Sequence, residues 1–155
     1  MQNNKIMEIY QLLLDRFGQQ HWWPGESEFE IMVGAILTQN TNWGNVEKAI
    51  NNLKNANRLS PESLLKIQTA ELAELIKPAG YYNIKAKRLK NFINWFFGQY
   101  NGKLEYLERV GTDTLREELL SIKGVGAETA DSILLYALAR NVFVVDTYTA
   151  RIAAR

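Results

Sequence analysis

Leu120-Ser121-Ile122-Lys123-Gly124-Val125-Gly126-Ala127-Glu128-Thr129-Ala130-Asp131, followed shortly by Val144-Val145-Asp146, is the stretch that decides how this chain reads. Gly-Val-Gly interrupts two helical patterns, and glycine lets a backbone turn tightly and come close to another molecule. A helix that starts after Gly126 directs unsatisfied N–H groups and the positive end of its dipole at whatever lies there. That geometry suits a phosphate. Lys123 and the Thr129 hydroxyl could add contacts to those of the Gly124-Val125-Gly126 amides. Such contacts position a nucleic acid without reading its sequence. Taken alone, the turn serves equally well to join two packed helices, because Gly-x-Gly is too short to be specific. Asp146 stands at the apolar entrance to a further helix. There it is either an N-cap or a carboxylate set for acid–base or electrostatic work.

Outward from this stretch the pattern is helical almost throughout. Apolar residues at Ile6, Ile9, Tyr10, Leu13, Leu14 and Phe17 give one helical face, stopped by Gly18. Ser27 and Glu30 form a capping-box pattern that opens an apolar helix to about Thr38, with Gly34 and Ala35 permitting close packing. Further helices are predicted from about Trp43 to Lys54, after Ser60-Pro61, and from Ala70 to Ile76 with Thr69 as cap. A long one runs from about Ile84 to Tyr100 and is closed by Asn101-Gly102. A short one surrounds Tyr106 and Leu107. The arms of the hairpin start at Thr112 or Thr114 and run from Ala127 to Ala139. Only Val142 to Val145 is strand-like, and it is too short for a sheet. The prediction is an all-α chain divided into an N-terminal helix (1–20), a helical domain carrying the hairpin at 123–126 (21–139), and an Asp146 loop with the start of a helix (140–155). That last helix is cut at Arg155 without a cap or breaker, which predicts a fragment of a longer protein.

At 155 residues the chain is long enough for one domain with a core, and 46% hydrophobic with 23% charged residues is ordinary for a globular protein. Lys and Arg number 18 against 17 Asp and Glu, so any basic footprint has to be local. The absence of cysteine excludes disulfides, cysteine-held zinc, thiol catalysis and an iron–sulfur cluster on this chain's own thiolates. It also fits a reducing compartment such as the cytoplasm. The N-terminus has no signal-peptide pattern, and no apolar run reaches the roughly 18 residues of a membrane span.

Several smaller features carry alternatives. Trp22, Trp23 and Trp43 can stack on an extruded, cationic base, or they are core anchors. Lys85, Lys87, Arg88 and Lys90 can steer phosphates, or they form a solvated helix face. Gln39 in Gln39-Asn40-Thr41 can insert an amide into DNA, or the segment simply caps a helix. His21, the sole histidine, is assigned no role.

Together these segments resemble the helix-hairpin-helix (HhH-GPD) DNA glycosylase superfamily, in its endonuclease III-like branch. The resemblance rests on Leu37-Thr38-Gln39-Asn40-Thr41, Gly80-Tyr81-Tyr82-Asn83-Ile84-Lys85-Ala86, Ile122 to Ala130, and Val145-Asp146-Thr147 with Arg151. These occur in the family's order over about residues 27–155. The resemblance implies two helical lobes, of which the second is incomplete here because Ile6 to Phe17 lacks its C-terminal partner helices. It implies Asp146 as the catalytic carboxylate and Gln39 as an amide wedge, with phosphate contacts from Lys123, Gly124, Val125, Gly126 and Thr129. It also implies a monovalent cation site on the Leu120, Ile122 and Val125 carbonyls. Members that cleave the strand carry a Schiff-base lysine after the hairpin; Glu128 occupies that position, eighteen residues before Asp146. A carboxylate cannot form an imine, so a monofunctional enzyme that leaves an abasic site is predicted.

Trp22-Trp23-Pro24 and Gln39-Asn40-Thr41-Asn42-Trp43 further resemble the 3-methyladenine DNA glycosylase III subfamily. That implies a pocket in which Trp22 and Trp43 sandwich a flipped alkylpurine while Trp23 and Pro24 shape the wall. The implied partner is double-stranded DNA with a damaged base, bound by a monomer in the cytoplasm, or at the nucleoid in a bacterium. No cofactor is expected in this chain; the cysteine cluster of many relatives lies downstream of the matched segments, and this subfamily generally lacks it. Competing expectations are a monofunctional glycosylase for a mismatched or damaged pyrimidine or for mispaired adenine, and a non-catalytic hairpin module.

Overall fold

After the first-turn acids Glu28 and Glu30, the helix Glu28–Leu37 is apolar on every side and so has to be surrounded by other helices. The computed structural model, which describes residues 2–155 with side chains from Lys5 onward, is all-α, with no strand among the described residues. Its helices are α1 (Gln2–Phe17), α2 (Glu28–Leu37), α3 (Trp43–Asn55), α4 (Pro61–Lys66), α5 (Thr69–Leu75), α6 (Tyr82–Tyr100), α7 (Leu104–Glu108), α8 (Thr112–Ser121), α9 (Ala127–Ser132) and α10 (Thr147–Ala153). A 3-10 turn at Lys77–Ala79 leads into α6, and a π-helical segment, Ile133–Ala137, prolongs α9. Helix α2 packs against α3, α6, α9 and the π segment. One core runs from Phe29 to Ala137, with Met32, Val33, Ile36, Leu89, Phe92 and Phe96 among its fully buried members.

Caps explain most boundaries. Ser27 Oγ accepts the Glu30 N–H at 3.2 Å, Asn42 Oδ1 accepts that of Asn45 at 3.1 Å, and Ser60 Oγ accepts that of Ser63 at 3.2 Å. Only half of the expected capping box forms at α2. The Glu30 carboxylate instead accepts from the Glu26 N–H at 3.3 Å and pairs with Lys54 at 3.0 Å. Thr69 is the first residue of α5 rather than its cap, and α8 starts at Thr112, one of the two expected starts, after Gly111 and without a side-chain cap. The predicted second arm is α-helical only to Ser132; beyond it the Leu138 N–H reaches the Ile133 carbonyl at 3.2 Å.

The basic run at the start of α6 is not a phosphate-facing row. Lys85 is buried, and its ammonium donates to the carbonyls of Leu37 and Ala79, both at 2.7 Å. Lys90 donates to the carbonyls of Leu64, Leu65 and Ile67 at 2.8–3.0 Å. Both lysines satisfy orphan carbonyls where helices end. Of the four, only Lys87 is exposed.

Helix α1 carries its apolar side chains outward, from Leu13 at 54% exposed to Leu12 at 69%. Tyr148 and Ile152 of α10 are similarly open. The core described above therefore draws on neither helix.

Candidate active site

The hairpin between α8 and α9 is braced from behind. Arg116 of α8 clamps Asp131 of α9 through two bonds, 2.6 and 3.0 Å. Asn91 of α6 donates to the Lys123 carbonyl at 2.9 Å, and the Val125 N–H donates to the Ile122 carbonyl at 3.0 Å. Gln39, just past the end of α2, donates to the Gly124 carbonyl at 3.0 Å and to Thr129 Oγ1 at 2.9 Å, and accepts from Arg88. Gly126 holds the cap position of α9 without a side-chain cap, which leaves that helix end free to receive an acceptor.

The two glycines play different parts. Gly124 has φ +102°, and a Cβ there would meet Arg88, 2.9 Å from Cδ and 3.1 Å from Cβ. Gly126 is extended at φ −98°, and a Cβ there would meet nothing. Gly124→Ala should therefore lose about 2 kcal/mol by thermal unfolding. Gly126→Ala should stay within about 0.5 kcal/mol of wild type.

Asp146 caps α10. Its Oδ1 accepts the Thr149 N–H at 2.7 Å and the Thr149 hydroxyl at 2.8 Å, while the Thr149 hydroxyl accepts the Asp146 N–H at 3.3 Å. Oδ2 takes no part in these bonds. The Thr149 amide, then its hydroxyl, holds the carboxyl below the usual carboxylate range. The cap reading of Asp146 is thus realised, and it leaves a partly exposed, ionised oxygen.

Asp146 and the hairpin face one cleft of about 1160 Å³, whose other walls are Trp22, Trp23, Pro24, the turn between α2 and α3, and Tyr136. Trp23, not Trp22, packs on Trp43, edge to face with centroids 5.5 Å apart, and lies tilted on Tyr136 at 5.1 Å. Trp22 stands 73% exposed at the rim. Both rings lie over Gly34, where a Cβ would sit in ordinary contact, 3.5 Å from Trp23 Nε1 and from Trp43 Cη2. The Trp23 indole N–H is buried there with no acceptor.

Residues 33–155 match the HhH-GPD superfamily of base excision DNA repair proteins. The chain belongs to that superfamily. Over its whole length it is 55% identical to a protein of Methanocaldococcus jannaschii named as a DNA repair glycosylase, and spans 72% of that protein. It is 31% identical over 97% of its length to endonuclease III of Thermotoga maritima and spans 65% of it, just under two thirds of that relative's length. In three dimensions it resembles the H. pylori 3-methyladenine DNA glycosylase bound to 1,N6-ethenoadenine. That match has a TM-score of 0.80 at 36% identity and covers 97% of this chain and 70% of that one. A non-covalent endonuclease III–DNA complex shares the fold at TM-score 0.79 and 23% identity.

Within this HhH-GPD chain the cleft gathers Trp22, Trp23, Pro24, Trp43, Gln39, Gly124, Val125, Gly126, Glu128, Thr129 and Asp146, all singled out from the sequence. Lys123 is exposed but does not line the cleft. The Thr129 hydroxyl, expected to touch phosphate, is buried and occupied by Gln39. Ile122 and Val125 lie buried in the turn, and the Ile122 carbonyl keeps one lone pair beyond its bond to Val125.

Two further residues escaped the sequence reading. Tyr136 sits on the π segment; burial first, and the Asp146 charge second, push its hydroxyl pKa up, so it remains a donor facing an anion. Its signal is a lone tyrosine inside the otherwise aliphatic run Ile133 to Leu138. Tyr81 is exposed in a left-handed conformation, φ 45° and ψ 34°. Lys85 ties the turn that precedes Tyr81 to the end of α2 by gripping the carbonyls of Ala79 and Leu37. Positive φ at a non-glycine residue is not legible from sequence.

Proposed function

We propose that the protein is a monofunctional DNA glycosylase that hydrolyses the N-glycosidic bond of an alkylated purine, of the 3-methyladenine type, and leaves an abasic site. The observation that carries this reading is the make-up of the cleft: an ionised Asp146 opposite a tryptophan-rich wall, with no lysine among the lining residues. Arg88, already committed to Gln39, is the cation present, and a guanidinium does not form imines at neutral pH.

The chemistry follows from charge. A 3-alkylated purine is cationic, so aromatic faces attract it, and breaking its glycosidic bond neutralises it. The C1′–N9 electron pair goes to the departing base, which needs no proton. Positive charge develops on the sugar instead, and a fixed carboxylate oxygen stabilises it. Water then bonds to C1′ and releases its proton to solvent or, transiently, to Asp146. Trp22 and Trp43 supply the faces, with Trp23, Pro24 and Tyr136 behind them. The hairpin amides at Gly124 and Gly126 and the start of α9 hold a phosphate of the duplex, with Lys123 nearby, so Gly126→Ala should weaken duplex binding without unfolding the protein. Such a protein acts where the chromosome is, in the cytoplasm or at the nucleoid. No helix among the described residues is long and apolar enough to cross a membrane.

A panel of duplexes tests the substrate class. Full-length protein should release 3-methyladenine about fivefold to thirtyfold faster than an uncharged base such as a mispaired thymine or adenine, since cation–π attraction contributes roughly 1–2 kcal/mol. Faster release of the uncharged base would sink the alkylpurine reading and favour the mismatch reading. Lesion-independent binding without release of any base would favour a non-catalytic module.

A further inference from the structure

We infer that Gln39 is a positioning residue: tethered to the hairpin in the free protein, it sets the orientation in which the hairpin presents its amides. The inference rests on the reading of the hairpin as a duplex-binding element.

Both amide hydrogens of Gln39 are spent, on the Gly124 carbonyl at 3.0 Å and on Thr129 Oγ1 at 2.9 Å, and its carbonyl accepts from Arg88. This orientation of the amide is forced, because a guanidinium only donates and a peptide carbonyl only accepts. One side chain thus joins the end of α2, the hairpin, the first turn of α9 and, through Arg88, α6. Arg88 also packs beneath Gly124, where a Cβ would displace it.

The consequence lies in the peptide planes. Asn91 holds the Lys123 carbonyl, and in a trans peptide the Gly124 N–H then points the opposite way, outward. Gln39 holds the next carbonyl, at Gly124, and the Val125 N–H of that same peptide closes on Ile122. Among the described residues neither the Gly124 nor the Gly126 N–H donates within the protein. The carbonyls are turned in and tied, and these two amides are left out. Inserting the Gln39 amide into a duplex would exchange these three bonds, so the tether belongs to the free protein.

Gln39→Met keeps the length and bulk of the side chain but removes its donors. Thr129→Val is isosteric, buried and uncharged, and removes one acceptor without altering the surface. Two measurements on full-length protein decide the matter: hydrogen exchange without DNA of the Val125 amide, whose peptide Gln39 holds and whose N–H closes on Ile122, and affinity for an undamaged duplex by fluorescence anisotropy. Losing a neutral hydrogen bond of this kind should raise hairpin exchange and weaken undamaged-duplex binding by about threefold to tenfold in each variant. The double variant should be no worse than the weaker single, because both remove the same tether. Wild-type hairpin exchange and wild-type undamaged-duplex affinity in Gln39→Met would overturn the inference, most directly if only base extrusion, read by 2-aminopurine fluorescence, were lost. Should Gln39→Met fail to fold, Thr129→Val alone decides by the same two readouts. If wild-type protein binds no duplex, the DNA reading fails, and the exchange comparison still decides whether Gln39 tethers the hairpin.

Discussion

Lys85→Met should lower the melting temperature by roughly 6–12 °C. The ammonium of Lys85 is 1% exposed and donates to two buried carbonyls, Leu37 at the end of α2 and Ala79 at the end of the 3-10 turn. Methionine fills similar volume but donates nothing. Each orphaned carbonyl costs about 1–3 kcal/mol, and relief of the buried charge offsets part of that, leaving roughly 2–4 kcal/mol. At about 3 °C per kcal/mol for a chain of this size, the shift follows.

The same lysine gives a pH signature. Burial, with a smaller contribution from the Arg88 charge, pushes the Lys85 ammonium down to about 8. The unfolded chain titrates near 10.4. Between these values the unfolded state binds more protons, so stability from this group rises with pH, is complete above about 10.4, and is lost as pH falls to about 8. A neutral amine still has two hydrogens for the two carbonyls. The stability gap between wild type and Lys85→Met should therefore widen from pH 8 to 10 and stay flat below 8. A gap that narrows over this range would show that the charged form is the one the fold favours.

Asp146→Asn should reduce base release by about 10²–10³-fold, the range found when one electrostatic group aimed at developing charge is removed. Asparagine is an equally good N-cap, so Thr149 keeps its acceptor and the melting temperature should barely move. The substitution removes charge and leaves shape. Because the Thr149 amide and hydroxyl hold the Asp146 carboxyl below its usual range, it stays ionised throughout the neutral and mildly acidic range. The wild-type rate should then show no acid limb from Asp146 above about pH 4. Its contribution to stability has the same sign: present above the unfolded carboxyl pKa and lost as pH falls through the lower folded value. Equal release by wild type and Asp146→Asn would leave Asp146 as a cap alone.

The helices were legible where apolar spacing repeats, as in α6, or where a cap residue announces a start, as at Ser27 and Ser60. What misled the reading of α6 was charge. Lys85 and Lys90 look like solvated residues in one dimension, yet a four-carbon stem lets each ammonium reach a helix end from the buried side. The pair Trp22-Trp23 lies in a loop without periodicity, so sequence could not say which indole turns inward; it is Trp23, packed on Trp43 and Tyr136. Tyr136 was hidden because the π segment alters the register of a run that reads as plain helix. Gln39 was singled out from its place at a helix end, but its partners lie 85 and 90 residues away, beyond any local pattern. Asp146 was the clearer case: an acid before Thr-Tyr-Thr, apolar on its N-terminal side, predicts a cap, and the cap fixes the charge.

The most direct test of a glycosylase without lyase chemistry is to follow both products of one reaction. Full-length protein incubated with a methylated duplex should release free 3-methyladenine while the strand stays whole until alkali cleaves it at the abasic site, with no adduct trapped by borohydride. A strand cut without alkali, or a borohydride-stable protein–DNA adduct, would mean that an amine of this protein attacks the sugar and would contradict the account built on Glu128 and Asp146.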